Sequence, residues 1–167
     1  MITIQSKINL DGISGAGLFE FFMNPTDRAY QTWWPGTHLE FHVLHRSPNH
    51  LGDVVYMDEW VGKYRIRMAA MVVEAEPGKK VVWQMRKGIR LPAWLIIELA
   101  DHTDGVILTH TLRIGFKGLG RIVDPFLRIY ASKEFEKAMD AHARTEFPML
   151  RDLLMMKKTD GSLQPGM

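Results

Sequence analysis

From residue 37 to residue 115 the chain keeps breaking at Gly, Pro, Asn and Asp, and between the breaks its apolar residues recur with a period near two. The segments 38–46, 53–61, 63–74, 80–85, 94–100 and 106–115 read as strands. Between them lie Ser47-Pro48-Asn49, Gly62, Glu76-Pro77-Gly78, the stretch from Gly88 to Pro92, and His102-Thr103-Asp104-Gly105. A parallel crossover needs a dozen or more residues, whereas connections this short join antiparallel neighbours. Nearly half of the chain is therefore committed to one antiparallel meander.

The flanks complete the order of elements. Residues 2–10 alternate as a further strand, which Asp11-Gly12 breaks. Residues 14–23 form a short apolar helix stopped by Asn24-Pro25; Thr26 or Asp27 caps a second one that runs through Tyr30 to Trp34 and ends at Pro35-Gly36. After Gly118-Leu119-Gly120 a long helix is expected from about Ile122 to Lys157, bent where Pro148 removes a backbone donor. One domain, 1–157, and a disordered tail, 158–167, follow from this reading.

Composition narrows the chemistry. The 167 residues, 46% of them hydrophobic, suffice for a core without covalent staples. A net charge of +2 with no lysine or arginine block argues against nucleic acid and anionic membranes. No apolar run is long enough to span a bilayer and no signal-type segment opens the chain, so a cytoplasmic protein is expected. With no cysteine present, thiol nucleophiles and thiolate metal sites are excluded, leaving His, Asp and Glu as candidate metal ligands.

Those residue types occur in telling places. Phe135, Met139, His142, Glu146, Met149/Leu150 and Leu153 fall on one face of the last helix. His142 and Glu146, four residues apart, interrupt that apolar stripe; burying an unpaired carboxylate costs several kcal/mol, so the pair suggests a metal site. A solvated face or a histidine bonded within the core is the plain alternative. Glu59 shares a strand face with Val55, Met57 and Val61, and calls for a metal or for an ion pair with Arg65 or Arg67. Asp58, beside Tyr56 and Trp60, is expected outward or at the rim. His38 stands where the second helix hands over to the meander, either at a cavity mouth or as a surface loop residue. His42 and Glu40 fall on the opposite strand face from Leu39, Phe41 and Val43.

Strand, two short helices, six-strand meander and long helix: this order resembles the START-type helix-grip (SRPBCC, polyketide-cyclase-like) proteins. The resemblance implies an α+β fold, a curved seven-stranded antiparallel sheet around a long C-terminal helix with an apolar cavity between them. Particular residues also resemble the zinc-dependent hydrolases of diacetylphloroglucinol and phloretin, which cleave a carbon–carbon bond between an acyl group and a phenolic ring. Trp34-Pro35-Gly36-Thr37-His38 has the form of that family's first ligand motif, Glu59 matches its strand glutamate, and His142, Glu146, Phe147 and Leu150 match its His-x-x-x-Glu-Phe-x-x-Leu helix. Tyr30, eight residues before His38, corresponds to its substrate-contacting hydroxyl. Phe41 departs from the pattern, which places an asparagine shortly after the first histidine, and His110 is the nearest counterpart of its strand histidine.

The resemblance implies Zn2+ held by His38, Glu59, His142 and Glu146, with Fe2+ or Mn2+ also compatible with these ligand types. Catalytic roles fall to Glu59, His42 and His110, and substrate contacts to Tyr30, Trp34 and Met57. The partner is a small aromatic or apolar molecule, and a homodimer is compatible. Two other readings stand beside this one: a non-catalytic binding protein with a cavity walled by Trp33, Trp34, Trp60, Trp83, Trp94, Met57, Met68 and Met71, and a metal-free polyketide cyclase or dehydratase.

Overall fold

The computed structural model describes residues 1–116 and 131–159. Strict alternation makes β1, Ile2–Asp11, a ribbon with every second side chain buried. Two short helices follow. In α1, Gly15–Met23, the Ser14 hydroxyl accepts the Gly17 amide; in α2, Asp27–Trp33, Thr26 accepts that of Ala29. The meander is β2, His38–His45; β3, Val54–Val61; β4, Tyr64–Glu76; β5, Lys80–Lys87; β6, Ile89–His102; and β7, Gly105–Ile114. One 3-10 turn, Pro48–His50, sits between β2 and β3. All pairings are antiparallel in the order β1-β7-β6-β5-β4-β3-β2. Register shifts in the β2–β3, β4–β5 and β5–β6 pairs bend this sheet. The last helix, α3, Lys133–Thr159, packs against β1 and buries Phe135, Met139, His142, Ala143, Glu146, Phe147 and Leu150. The expected stripe is the buried one, with Met149 and Leu153 half-buried beside it.

Several boundaries differ from the sequence reading, those of the last helix and of β6 most of all. The expected helix start at Ile122 lies outside the described residues, and α3 begins at Lys133 after non-helical Ala131 and Ser132. Ser132 supplies the reason: its hydroxyl accepts the Phe135 amide at 3.2 Å, an N-cap bond. At the other end α3 continues through Lys158 and Thr159, where a tail is expected, and Thr159 Oγ1 donates to the Met155 carbonyl at 3.1 Å. Residues 160–167 of that tail lie outside the described residues. Finally, Gly88 to Pro92 is not a long turn. Only Gly88, at φ +74°, makes the reversal, and β6 runs on through Pro92. The β5–β6 register slips between Gln84 and Arg86, opposite this segment, where a missing backbone donor is tolerated.

The β2–β3 connection matters because both strands carry site residues. Buried Asp53 accepts the Ser47 amide at 2.5 Å and Arg46 Nη1 at 3.0 Å, and lies 3.0 Å from His50 Nδ1. Burial pushes the Asp53 pKa up, but the Ser47 amide, His50 and Arg46 outweigh it and hold the carboxyl below its ordinary value. A depressed folded pKa means that its contribution is present above the unfolded value of ~3.9 and is lost as pH falls below it. Asp53→Asn should cost ~1–3 kcal/mol in urea denaturation at neutral pH, with the gap to wild type closing as pH drops. Equal stability of the two proteins at pH 7 would refute this role.

Candidate metal centre

His38 reaches the interior because of two local features. The Trp34 carbonyl accepts the amides of Thr37 and His38 at 3.2 and 3.0 Å, closing a tight turn that requires the positive φ (+79°) of Gly36. Then the β2–β3 ladder slips by one residue between His38 and Glu40. Beyond the slip Phe41 pairs with Met57 and Val43 with Val55; before it His38 stands opposite Glu59. The bulge reverses the phase of β2, so His38 shares the inward face with Phe41 although their spacing is odd.

Four side chains converge there. His38, Glu59, His142 and Glu146 each present a ligand atom, and all four atoms lie within 4.8 Å of one another. Glu146 Oε2 is 3.3 Å from Nε2 of both histidines. Glu59 Oε2 is 3.9 Å from His38 Nε2 and 3.8 Å from His142 Nε2. Ligands at ~2.0–2.1 Å from a tetrahedral ion stand about 3.4 Å apart, so the separations match one shared cation. Neither Nε2 atom has a hydrogen-bond partner, although both are buried. Buried ring nitrogens left unpaired beside two carboxylates are costly unless something positive sits between them. The donor set, two imidazoles and two carboxylates, suits zinc, with iron or manganese compatible.

Electrostatics agree. Burial raises the Glu59 pKa, and the charge of Glu146 adds to it. For Glu146 burial also pushes upward, but the neighbouring His142 and His38 rings outweigh it and hold the carboxyl well below the usual range. Burial lowers the His142 pKa, yet the Glu146 and Glu59 carboxylates win and raise it. The cluster thus concentrates negative charge in an apolar setting.

The helix α2 supports this group. The Tyr30 ring stacks on His38 at 3.9 Å between centroids and 6° between planes, and its hydroxyl donates to Glu59 Oε2. Burial, followed by the Glu59 charge, raises the Tyr30 pKa, so the phenol keeps its proton. Tyr30→Phe keeps the stack and removes this donor. We expect zinc binding to weaken ~10–100-fold, as for other groups that orient ligands. A chelator-competition titration reads this, and an unchanged dissociation constant would refute it.

The cluster opens on a cavity of about 420 Å³, within the ~300–1,000 Å³ of small-molecule sites. Its walls include Tyr30, Met57 and His110, together with Glu59, His142 and Glu146. Trp33, Trp83 and Met68 also line it, whereas Trp60, Trp94 and Met71 do not. His110 is buried, its ring 5.7 Å from that of Phe147, and burial lowers its pKa.

Two expected contacts are corrected. His42 does not face the cavity: it pairs with Tyr56 across the ladder, and its Nδ1 lies 2.8 Å from Asp27 Oδ1. The same phase reversal that turns His38 inward turns His42 outward. Trp34, the C-cap of α2, is not a cavity wall; it stacks on the His142 ring at 4.8 Å. The alternative ion pair of Glu59 with an arginine is absent among the described residues. Arg65 instead holds Asp58 with two bonds, at 2.9 and 2.8 Å. Asp58 is consequently buried beneath that guanidinium rather than exposed at a rim.

Sequence reasoning misses the specific bond of Trp33, whose Nε1 donates to the Glu146 carbonyl at 2.5 Å. Its only signal is the aromatic density of α2.

No profile of a known protein family matches the chain, and no curated protein does. Solved structures match it in fold. The KanY protein superposes with a TM-score of 0.63 at 10% identity, over 92% of this chain and 97% of that one. SA2116 of Staphylococcus aureus, a protein of unknown function, gives 0.62 at 11%, over 95% and 97%. The major latex-like protein 151 of Panax ginseng gives 0.55 at 10%, over 84% and 96%. The fold is a helix grip, a seven-stranded antiparallel sheet with a long C-terminal helix packed on it. Identities this low speak to architecture, and the chemistry must be argued from the side chains. Among the described residues no helix is long and apolar enough to cross a membrane.

Proposed function

We propose that this helix-grip protein is a metal-dependent hydrolase, with zinc as the favoured ion, acting on small acyl-phenolic ketones by carbon–carbon cleavage. The observation that carries the reading is the convergence of two unpartnered imidazole nitrogens and two carboxylates beside an apolar cavity that Glu59, His142 and Glu146 help to line. His38, Glu59, His142 and Glu146 would hold a divalent ion there, which would serve as a Lewis acid and lower the pKa of a water. The reaction adds water across one bond: the aryl–acyl bond breaks, the ring carbon gains hydrogen, and the acyl carbon gains the hydroxyl. Glu59, which lines the cavity and accepts the Tyr30 hydroxyl, is the group placed to carry the proton to the ring carbon. Tyr30 orients Glu59, His110 faces a phenolic oxygen across the cavity, and Met57 and Phe41 hold the ring.

The test pairs two measurements on protein purified without chelator. Metal analysis should find about one zinc per chain, and incubation with diacetylphloroglucinol or phloretin should release the deacylated phenol and the free acid, read by chromatography. A protein free of metal and unable to bind added zinc would overturn the proposal. The apolar cavity would then favour a binding module or a metal-free cyclase.

A further inference from the structure

The helix α3 carries half of the candidate ligand set, yet its ligand-bearing turn is weakened from within. Pro148 lies inside the helix, two residues after Glu146. Lacking an N–H, it leaves the carbonyl of Arg144 without the usual helical partner. The backbone that aims Glu146 therefore has one bond fewer than an ordinary turn. At this point α3 receives a bond from outside: Trp33 Nε1 donates to the carbonyl of Glu146 itself, across 113 positions of sequence. The indole ring also lies edge-on to His38, 4.6 Å between centroids and 80° between planes, and tilted against Phe147 at 5.9 Å. One buried side chain thus touches the imidazole on β2 and grips the backbone of the carboxylate on α3.

Resting on the metal-site reading above, we infer that Trp33 is a positioning residue: its indole N–H clamps the Glu146 turn of α3 at the distance from His38 that one divalent ion requires. Trp33 lines the cavity but is not among the four candidate ligands, and its role here runs through the backbone of Glu146. Groups that orient ligands in this way commonly govern ~10–100-fold in metal affinity. The competing view is that a buried indole has merely satisfied its donor at the nearest carbonyl. Under that view its loss would lower stability and leave metal affinity alone.

The experiment titrates zinc against a competing chelator in the wild-type chain, in Trp33→Phe and in Trp33→Phe/Pro148→Ala. Trp33→Phe keeps an aromatic ring and loses the donor, and its zinc dissociation constant should rise ~10–100-fold. The absorption spectrum of the cobalt-substituted protein should change shape, because Glu146 is no longer held. Pro148→Ala returns the bond to Arg144 and stiffens the turn from inside, so the double variant should recover most of the lost affinity. In the wild-type chain, adding zinc should slow hydrogen exchange at the Trp33 indole N–H, followed by NMR; this reading does not depend on any variant folding.

Zinc affinity in Trp33→Phe within about a factor of two of wild type would overturn the inference while leaving the metal site intact. So would an affinity loss that Pro148→Ala fails to restore, since it would trace to ring packing, and so would indole exchange indifferent to zinc. A wild-type chain that binds no zinc would overturn the metal reading and this inference together.

Discussion

On the proposed metal-site reading, replacing His142 with Ala should abolish zinc binding: about one zinc per chain in the wild type, none retained in the variant, and no deacylation of diacetylphloroglucinol. His142 supplies one of the two imidazole nitrogens, and its removal leaves His38 alone beside the carboxylates of half-buried Glu59 and buried Glu146. Both the donor count and the charge balance fail together. Losing a group that merely orients a ligand costs ~10–100-fold in affinity, and losing a ligand should cost more. His42→Ala is the informative control. That ring lies within reach of Asp27 on the other face of β2 and is not a cavity wall, so its removal should leave zinc content unchanged. Metal content and zinc affinity, measured by elemental analysis and chelator competition, decide the matter. An H142A protein that keeps its zinc at wild-type affinity would remove His142 from the site.

That contrast between two histidines shows what the sequence can and cannot disclose. Helical periodicity is long-ranged and tolerant of error: the buried positions of α3 share a face, so the inward placement of His142 and Glu146 is legible from their spacing alone. Strand alternation serves equally well for Glu59, which keeps company with Val55, Met57 and Val61 through an uninterrupted β3. It fails for β2, where one slipped residue between His38 and Glu40 inverts the phase. Read without the bulge, His38 and His42 belong to the same face; with it they part, one to the site and one to Asp27. A bulge has no dependable sequence mark, because it is fixed by pairing with the neighbouring strand. Trp34 misleads for a similar reason. Its proximity to His38 in sequence is genuine, but as a helix cap it packs behind His142 rather than in the cavity. The start of α3 is obscured because an apolar run beginning at Ile122 has helical composition and outweighs the Ser132 cap and the first-turn Glu134 and Glu136 that mark the start at Lys133. The Arg65–Asp58 pair shows the limit for charges: which carboxylate an arginine takes depends on which strand face it occupies, and Arg65 lies on the face away from Glu59.

Removing the metal should destabilise the chain, and more so as pH rises. An ion that binds only the folded state adds stability in proportion to the logarithm of its excess over the dissociation constant, ~4 kcal/mol at a thousandfold excess. For a domain of this size that is roughly 10 °C in melting temperature. The pH dependence follows from what occupies the space between the four side chains. Without metal, a proton on His142 is the available positive charge; burial opposes it, but Glu146 and Glu59 raise the imidazole pKa above its ordinary value. A raised folded pKa stabilises the metal-free protein fully below the unfolded value of ~6.5, and that contribution is lost as pH climbs through the folded value. Metal binding runs the other way, since both imidazoles must be deprotonated to ligate and affinity grows as pH increases. On the proposed reading, proton and ion compete for one position between the same two carboxylates. Melting temperatures of zinc-loaded and chelator-treated protein should lie close together near pH ~5.5 and diverge steadily toward pH ~8, the treated protein losing stability where the loaded one holds it. Equal melting temperatures across that range, or a gap that is widest on the acid side, would show that no cation takes the proton's place there.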